Sequence, residues 1–149
     1  MTALWTADEL RAATDGALRE PVGVTGVSID SRTVARGDLF IALRDARDGH
    51  AFVRDALLHG AAGAMVDSDV PDLPANAPLL RVADTLAGLA ALGTAGRART
   101  HARVLGITGS VGKTTTKEMA RLALSALERT HASAASHNNH WGVPLTLAR

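Results

Sequence analysis

The stretch Gly109-Ser110-Val111-Gly112-Lys113-Thr114-Thr115 carries residue types that could hold a nucleotide phosphate. Gly109 and Gly112 allow the backbone to turn its N–H groups inward with no Cβ in the way. A helix starting behind them would add about half a positive charge at its N-terminus. Lys113 could then reach the β- and γ-phosphates, and the Thr114 hydroxyl could ligate Mg2+. The strict phosphate-loop pattern asks for a glycine five positions before Gly112, where this chain has Ile107, but the core Gly-Ser-Val-Gly-Lys-Thr-Thr is intact. The competing reading is a Gly/Thr-rich turn with a solvated lysine. It leaves unexplained why Lys113 and Lys117 are the only lysines of a chain with fourteen arginines.

Other polar groups are less specific. Asp30-Ser31-Arg32 could be a binding turn or simply a strand-ending turn tied by its own side chains. Asn138 and Asn139 could contact substrate or nucleotide, or serve only as turn formers. His131, His137 and His140 have no cysteine or carboxylate partner nearby and fit polar loop positions better than a metal site. Trp141 fits a packing anchor better than a base-stacking platform.

The elements that must position these groups follow an α/β pattern. Thr6-Ala7-Asp8-Glu9 has capping-box spacing ahead of a helix over about 7–14. Val24–Ile29, Leu39–Leu43, Ala64–Val66 and Leu79–Val82 are branched apolar runs bounded by turn residues, and each predicts a strand. Phe52, Val53, Ala56 and Leu57 recur at helical spacing between the second and third of these. Asp84 is placed to cap a helix reaching about Arg99, whose Gly88, Gly93 and Gly96 each weaken it by about 1 kcal/mol unless they permit close packing. Arg103–Ile107 predicts the strand that feeds the phosphate loop, Met119, Ala120, Leu122 and Ala123 continue a helix behind it, and a further strand is expected at 131–134. A helix opens near Pro144. The domain boundary is expected near residue 83, giving units 1–83 and 84–149.

Composition sets the outer limits. The chain has 149 residues, 46% hydrophobic, with no cysteine and a formal net charge of +1, which excludes disulfides and Cys-based zinc sites. Asp8, Glu9, Arg11 and Asp15 make the first fifteen residues unlike a secretory signal, and no apolar run approaches the roughly 20 residues that span a bilayer, so a cytoplasmic protein without a membrane partner is expected. The near-neutral charge and two Trp and two Phe as the only aromatics argue against a nucleic-acid partner. Charge is nevertheless uneven: residues 1–100 carry net −3 and residues 101–149 net +4, so the positive half coincides with the glycine loop.

Gly106-Ile107-Thr108-Gly109-Ser110-Val111-Gly112-Lys113-Thr114-Thr115-Thr116-Lys117-Glu118-Met119 resembles the phosphate loop of the Mur ligases, whose pattern has its glycine three positions before the Gly-Lys pair. Asn138-Asn139-His140-Trp141-Gly142-Val143-Pro144-Leu145-Thr146-Leu147 is similar to the branch of that family that adds D-alanyl-D-alanine. Gly26 to Leu43, with Asp30-Ser31-Arg32 and Gly37-Asp38 inside it, and then Asp48-Gly49-His50 and Phe52, resemble the family's uridine-nucleotide domain. Asp45 stands where the family usually has a glycine, so the 44–48 segment departs from the family's pattern.

The resemblance implies a small uridine-nucleotide-binding α/β domain followed by the start of a doubly wound phosphate-loop domain. It implies ATP bound by Gly109, Ser110, Val111, Gly112, Lys113, Thr114 and Thr115, with Lys113 and Thr114 in catalytic roles and Thr114 as a Mg2+ ligand. It implies that Ile29 and Ser31, together with Asn138 and Asn139, face a UDP-N-acetylmuramoyl tripeptide, to which D-alanyl-D-alanine is joined through an acyl phosphate in peptidoglycan precursor synthesis. The family's acidic magnesium ligand, carbamoylated lysine, remaining central strands and dipeptide-binding domain are expected beyond residue 149, so an N-terminal fragment without turnover of its own is expected. Two alternatives are another ligase of the superfamily and a non-catalytic nucleotide-binding protein that kept the loop.

Overall fold

The computed structural model describes residues 2–133 and 140–149. The elements are α1 (Ala7–Thr14), β1 (Ala17–Leu18), β2 (Gly26–Ser28), β3 (Asp38–Ile41), a 3-10 turn (Gly49–Phe52) running into α2 (Val53–Leu58), β4 (Gly63–Val66), β5 (Leu79–Arg81), α3 (Thr85–Ala98), α4 (Lys113–Ser125) and α5 (Gly142–Ala148). The strands form one sheet in the order β1-β5-β4-β3-β2. β2 through β5 pair in parallel, and β1 lies antiparallel on β5 with Ala17 opposite Arg81.

Strand alternation divides the core into two faces. Val27, Leu39, Ile41, Met65 and Leu80 pack in one cluster with Leu10 of α1, Leu89 and Leu92 of α3, and Leu145 and Ala148 of α5. Phe40, Ala42, Ala64, Val66 and Leu79 pack in the other with Val53 and Ala56 of α2. Both faces of β3 and β4 are covered, which is why their sequences are continuous apolar runs and not alternating ones. Each fully buried leucine here contributes about 1.5–3 kcal/mol.

The helix boundaries follow local chemistry. Thr6 and Glu9 form the expected capping box, and Asp84 Oδ1 accepts from Ala87 N at 2.6 Å to cap α3. The glycines of α3 serve close packing. A Cβ on Gly93 would lie 2.9 Å from both Cα and O of Pro144, and one on Gly96 would collide with the Leu147 carbonyl oxygen. Pro144 sits in the first turn of α5, where its missing N–H costs the helix nothing. Trp5 Nε1 donates to Ala148 O at 2.9 Å, and Arg149 Nε donates to Val27 O at 2.9 Å, so α5 is tied to the first strands as well as packed on α3. The boundary expected near residue 83 therefore precedes a helix that shares its core with the sheet.

Two expected strands do not form among the described residues. Arg103–Ile107 has no ladder partner, and Val104 and Leu105 are exposed. A strand exists through pairing, and all five paired strands lie before residue 82. The 131–133 part of the other run is likewise unpaired, and Ala134 lies outside the described residues. The short β1 had not been expected from the sequence. Two residues are too few to display a period.

Candidate functional site

The glycine loop opens directly into α4. Gly112 is the N-cap residue, with φ 78° in the left-handed region, and Gly109 has φ 153°. A Cβ on Gly112 would meet no neighbour within 4 Å, so conformation and not space calls for glycine there. No side chain caps α4, whereas Thr6 and Asp84 cap α1 and α3. Gly112 has no side chain to accept from the first-turn N–H groups of α4, which carry the positive end of the helix dipole. Such an end suits an anion.

The two lysines lie one turn apart on α4 and have different surroundings. Lys113 Nζ donates to Gly109 O at 2.6 Å and makes no ion pair among the described residues. Lys117 Nζ donates to Ser133 O at 2.8 Å and pairs with Glu118 at 3.1 Å. Hydrogen bonds from Arg121 and then Lys117 hold the Glu118 carboxyl below its ordinary pKa. The charge of Lys117 is therefore partly balanced, and Lys113 supplies the uncompensated cation at the loop. Ser110, Val111, Gly112, Thr114 and Thr115 are exposed. The donors and hydroxyls fit a magnesium nucleotide: Thr114 offers an oxygen to a hard cation, and Lys113 with the helix N-terminus offers positive charge to phosphates.

The second set of expected residues lies past the carboxyl end of β2, the rim at which open parallel sheets bind ligands. Ile29 packs half-buried against the first core cluster. Ser31 is 8% exposed, and its hydroxyl makes no hydrogen bond among the described residues. Around it the turn is closed by Asp30, whose Oδ1 accepts from Arg32 N at 3.0 Å and Arg32 Nε at 2.9 Å, with Oδ2 accepting from Arg32 Nη2 at 2.6 Å. The Arg32 side chain and then its backbone N–H lower the Asp30 pKa to about 2. Asn138 and Asn139 lie outside the described residues, as does His137. Trp141 packs half-buried against the core, as an anchor would.

A polar network on the same rim joins Asp48 and His50, noted above only for their resemblance, to Asp67 and Thr85, whose part in it had no signal in the sequence. His50 is buried, and its Nδ1 lies 2.6 Å from Asp48 Oδ1 while Nε2 lies 3.1 Å from Asp67 N. A backbone N–H can only donate, so Nε2 accepts and Nδ1 carries the proton. The His50 backbone N–H and then its ring hold the Asp48 carboxyl below its ordinary pKa. Asp67 Oδ2 accepts from Thr85 N at 3.1 Å, and the Thr85 hydroxyl donates to Ala42 O at 2.9 Å, which ties the start of α3 to the ends of β3 and β4. Asp67 Oδ1 is 2.9 Å from Arg44 Nη2, a charge pair whose alignment does not make a hydrogen bond. Two carboxylates around one arginine leave this part of the rim net negative. The local field does not favour a phosphate at Arg44.

Comparisons with known proteins cover both parts of the chain. Residues 107–149 match the family described as Mur ligase middle domain. The chain is 41% identical over 129 residues to the UDP-N-acetylmuramoyl-tripeptide--D-alanyl-D-alanine ligase of Bacillus subtilis (strain 168), covering 86% of this chain and 28% of that protein. A crystal structure of MurF from Acinetobacter baumannii superposes with a TM-score of 0.83 at 36% identity, covering 97% of this chain and 32% of that one. A structure of MurF ligase from Thermotoga maritima in complex with ADP gives a TM-score of 0.67 at 29% identity, covering 83% and 28%. The chain thus spans about a third of the length of the relatives it matches.

Proposed function

Because this chain belongs to the Mur ligase family, we propose that it carries the nucleotide-sugar-binding and ATP-phosphate-binding portions of the ligase that joins D-alanyl-D-alanine to a UDP-N-acetylmuramoyl tripeptide in peptidoglycan precursor synthesis. The observation that carries this reading is the N-terminus of α4, without a side-chain cap, behind Gly109 and Gly112, with Lys113 beside it in no ion pair among the described residues. In this reading residues 1–83 hold the UDP-sugar and residues 84–149 begin the ATP-binding unit. A nucleotide-dependent ligase of this kind works in the cytoplasm.

Carboxylate and amine do not condense unaided in water, and bound ATP supplies the phosphoryl group that turns the tripeptide carboxylate into an activated acyl donor. The residues of this chain position and neutralise. Lys113, which donates to the Gly109 carbonyl here, would hold the β- and γ-phosphates. The N–H groups of the loop and of the first turn of α4 would donate to phosphate oxygens, Gly109 and Gly112 keep side chains out of their way, and the Thr114 hydroxyl would be a ligand for Mg2+. Ser31, with Ile29 beside it, holds the UDP-sugar at the end of β2. Asn138 and Asn139 complete the assignment as substrate-side residues.

Separate calorimetric titrations of the 149-residue chain with ATP·Mg and with the UDP-N-acetylmuramoyl tripeptide test the reading. Affinity for each is expected. Binding of ATP with none of the UDP-sugar would favour a generic nucleotide binder, and binding of neither would refute the assignment.

A further inference from the structure

The Asp30–Thr33 turn is closed mainly from within. Asp30 bonds Arg32, and Thr33 N donates to Asp30 O at 3.2 Å. Among the described residues one hydrogen bond reaches this turn from a distant element: His59 Nδ1 lies 3.1 Å from the carbonyl oxygen of Ser31, across 28 positions of sequence. A carbonyl oxygen only accepts, so Nδ1–H is the donor. His59 is itself fixed, because it is the C-cap residue of α2 and its N–H donates to Asp55 O at 2.9 Å. Gly60 follows with φ 104°, and its carbonyl accepts from Gly37 N at 2.9 Å, so the end of α2 is fastened to the β2–β3 connection twice.

We propose that His59 is a positioning residue for nucleotide-sugar binding, acting through Ser31. Holding the Ser31 carbonyl fixes the peptide plane after Ser31 and so restrains ψ of Ser31 and φ of Arg32. Ser31 as a whole is 8% exposed, and its hydroxyl makes no hydrogen bond among the described residues while keeping access to solvent. A hydroxyl held in one direction with no protein partner can bond a ligand without first giving up another bond within the protein. His59 thus converts the ordinary C-terminus of α2 into a brace behind the ligand-facing turn. The inference rests on the proposed role of Ser31 as a UDP-sugar contact.

Asparagine separates bracing from bulk. Its Nδ2 is as many bonds from Cα as the imidazole Nδ1, and it is also a donor, whereas alanine has none. The full chain and its His59→Ala and His59→Asn variants are titrated by calorimetry with the UDP-N-acetylmuramoyl tripeptide and, separately, with ATP·Mg. His59→Ala is expected to weaken the UDP-sugar by about five- to tenfold, the factor carried by one neutral hydrogen bond, with ATP affinity unchanged. His59→Asn is expected to restore most of the lost affinity. Unchanged UDP-sugar affinity in His59→Ala, failure of asparagine to rescue, or a parallel loss for ATP would each overturn the proposal. Wild-type chain that binds ATP and no UDP-sugar would instead remove the Ser31 reading on which it stands, while UDP-sugar binding that ignores His59 would remove only the brace.

Discussion

Replacing Gly93 by alanine sets two opposed effects against each other at one site. In an uncrowded helix the change stabilises by about 1 kcal/mol, because alanine restricts the unfolded chain and favours the helix. Here the added methyl would lie 2.9 Å from Pro144 Cα and 2.9 Å from Pro144 O, both backbone atoms that cannot swing aside. Overpacking of this kind costs about 1–3 kcal/mol. The net expectation is a loss of up to about 2 kcal/mol, equivalent for a chain of this size to a fall in Tm of up to roughly 8 °C. Urea unfolding followed by tryptophan fluorescence is a suitable assay, since Trp5 bonds the last turn of α5 and Trp141 directly precedes that helix. Ala90, exposed on the same helix, supplies the control: Ala90→Gly should cost about 1 kcal/mol by propensity alone. If Gly93→Ala raised the midpoint by the amount Ala90→Gly lowers it, the close α3–α5 contact and the reason given for these glycines would both be wrong.

Two further outcomes are expected. Lys113→Ala should lower affinity for ATP·Mg by about tenfold or more, since a charge-assisted hydrogen bond carries about 1.5–3 kcal/mol, and unchanged binding in calorimetry would sink the assignment of the loop. Asp30, held at about 2 by Arg32, lies below its ordinary value of 3.8, so its contribution to stability is present above pH 3.8 and is lost as pH falls through about 2. Arg32→Gln should return the Asp30 titration, followed by carboxyl NMR, toward 3.8, and a titration left near 2 would show that the arginine is not the cause.

Much of this architecture was legible because it is written in short-range chemistry. Thr6 with Glu9 and Asp84 with Ala87 are caps three residues apart, and β3 and β4 are apolar runs whose neighbours are punctuated by turns. The backbone of the glycine loop is short-range in the same way: Gly109 and Gly112 take positive φ within a few residues of Lys113 and Thr114, where α4 begins. What was not legible depends on partners far away in sequence. Arg103–Ile107 has strand composition, yet composition does not supply a neighbouring edge. The glycines of α3 look like flaws in a helix until Pro144 and Leu147 are seen against them. The rim network drew Asp48, Asp67 and Thr85 to one histidine or one carboxylate, and no periodicity marks such a meeting. His59 likewise carried no signal, being an exposed helix-end residue with its acceptor 28 positions earlier.

The bond from Trp5 to the carbonyl of Ala148 spans 143 positions, and it has a consequence for the order in which the molecule takes shape. The first apolar face of the sheet is assembled from strands that end by Arg81, yet Leu145 and Ala148 are needed to cover it. On a ribosome adding about 5–20 residues per second, that face waits several seconds between the completion of β5 and the arrival of α5. Closing so long a loop is slow compared with forming any helix here, though each doubling of its length adds only about 0.6 kcal/mol to the entropic cost. The nascent sheet therefore has its α2 side finished early and its other side covered only by α1 and α3, and the part left for α5 is where a chaperone, or a neighbouring nascent chain, would find apolar surface.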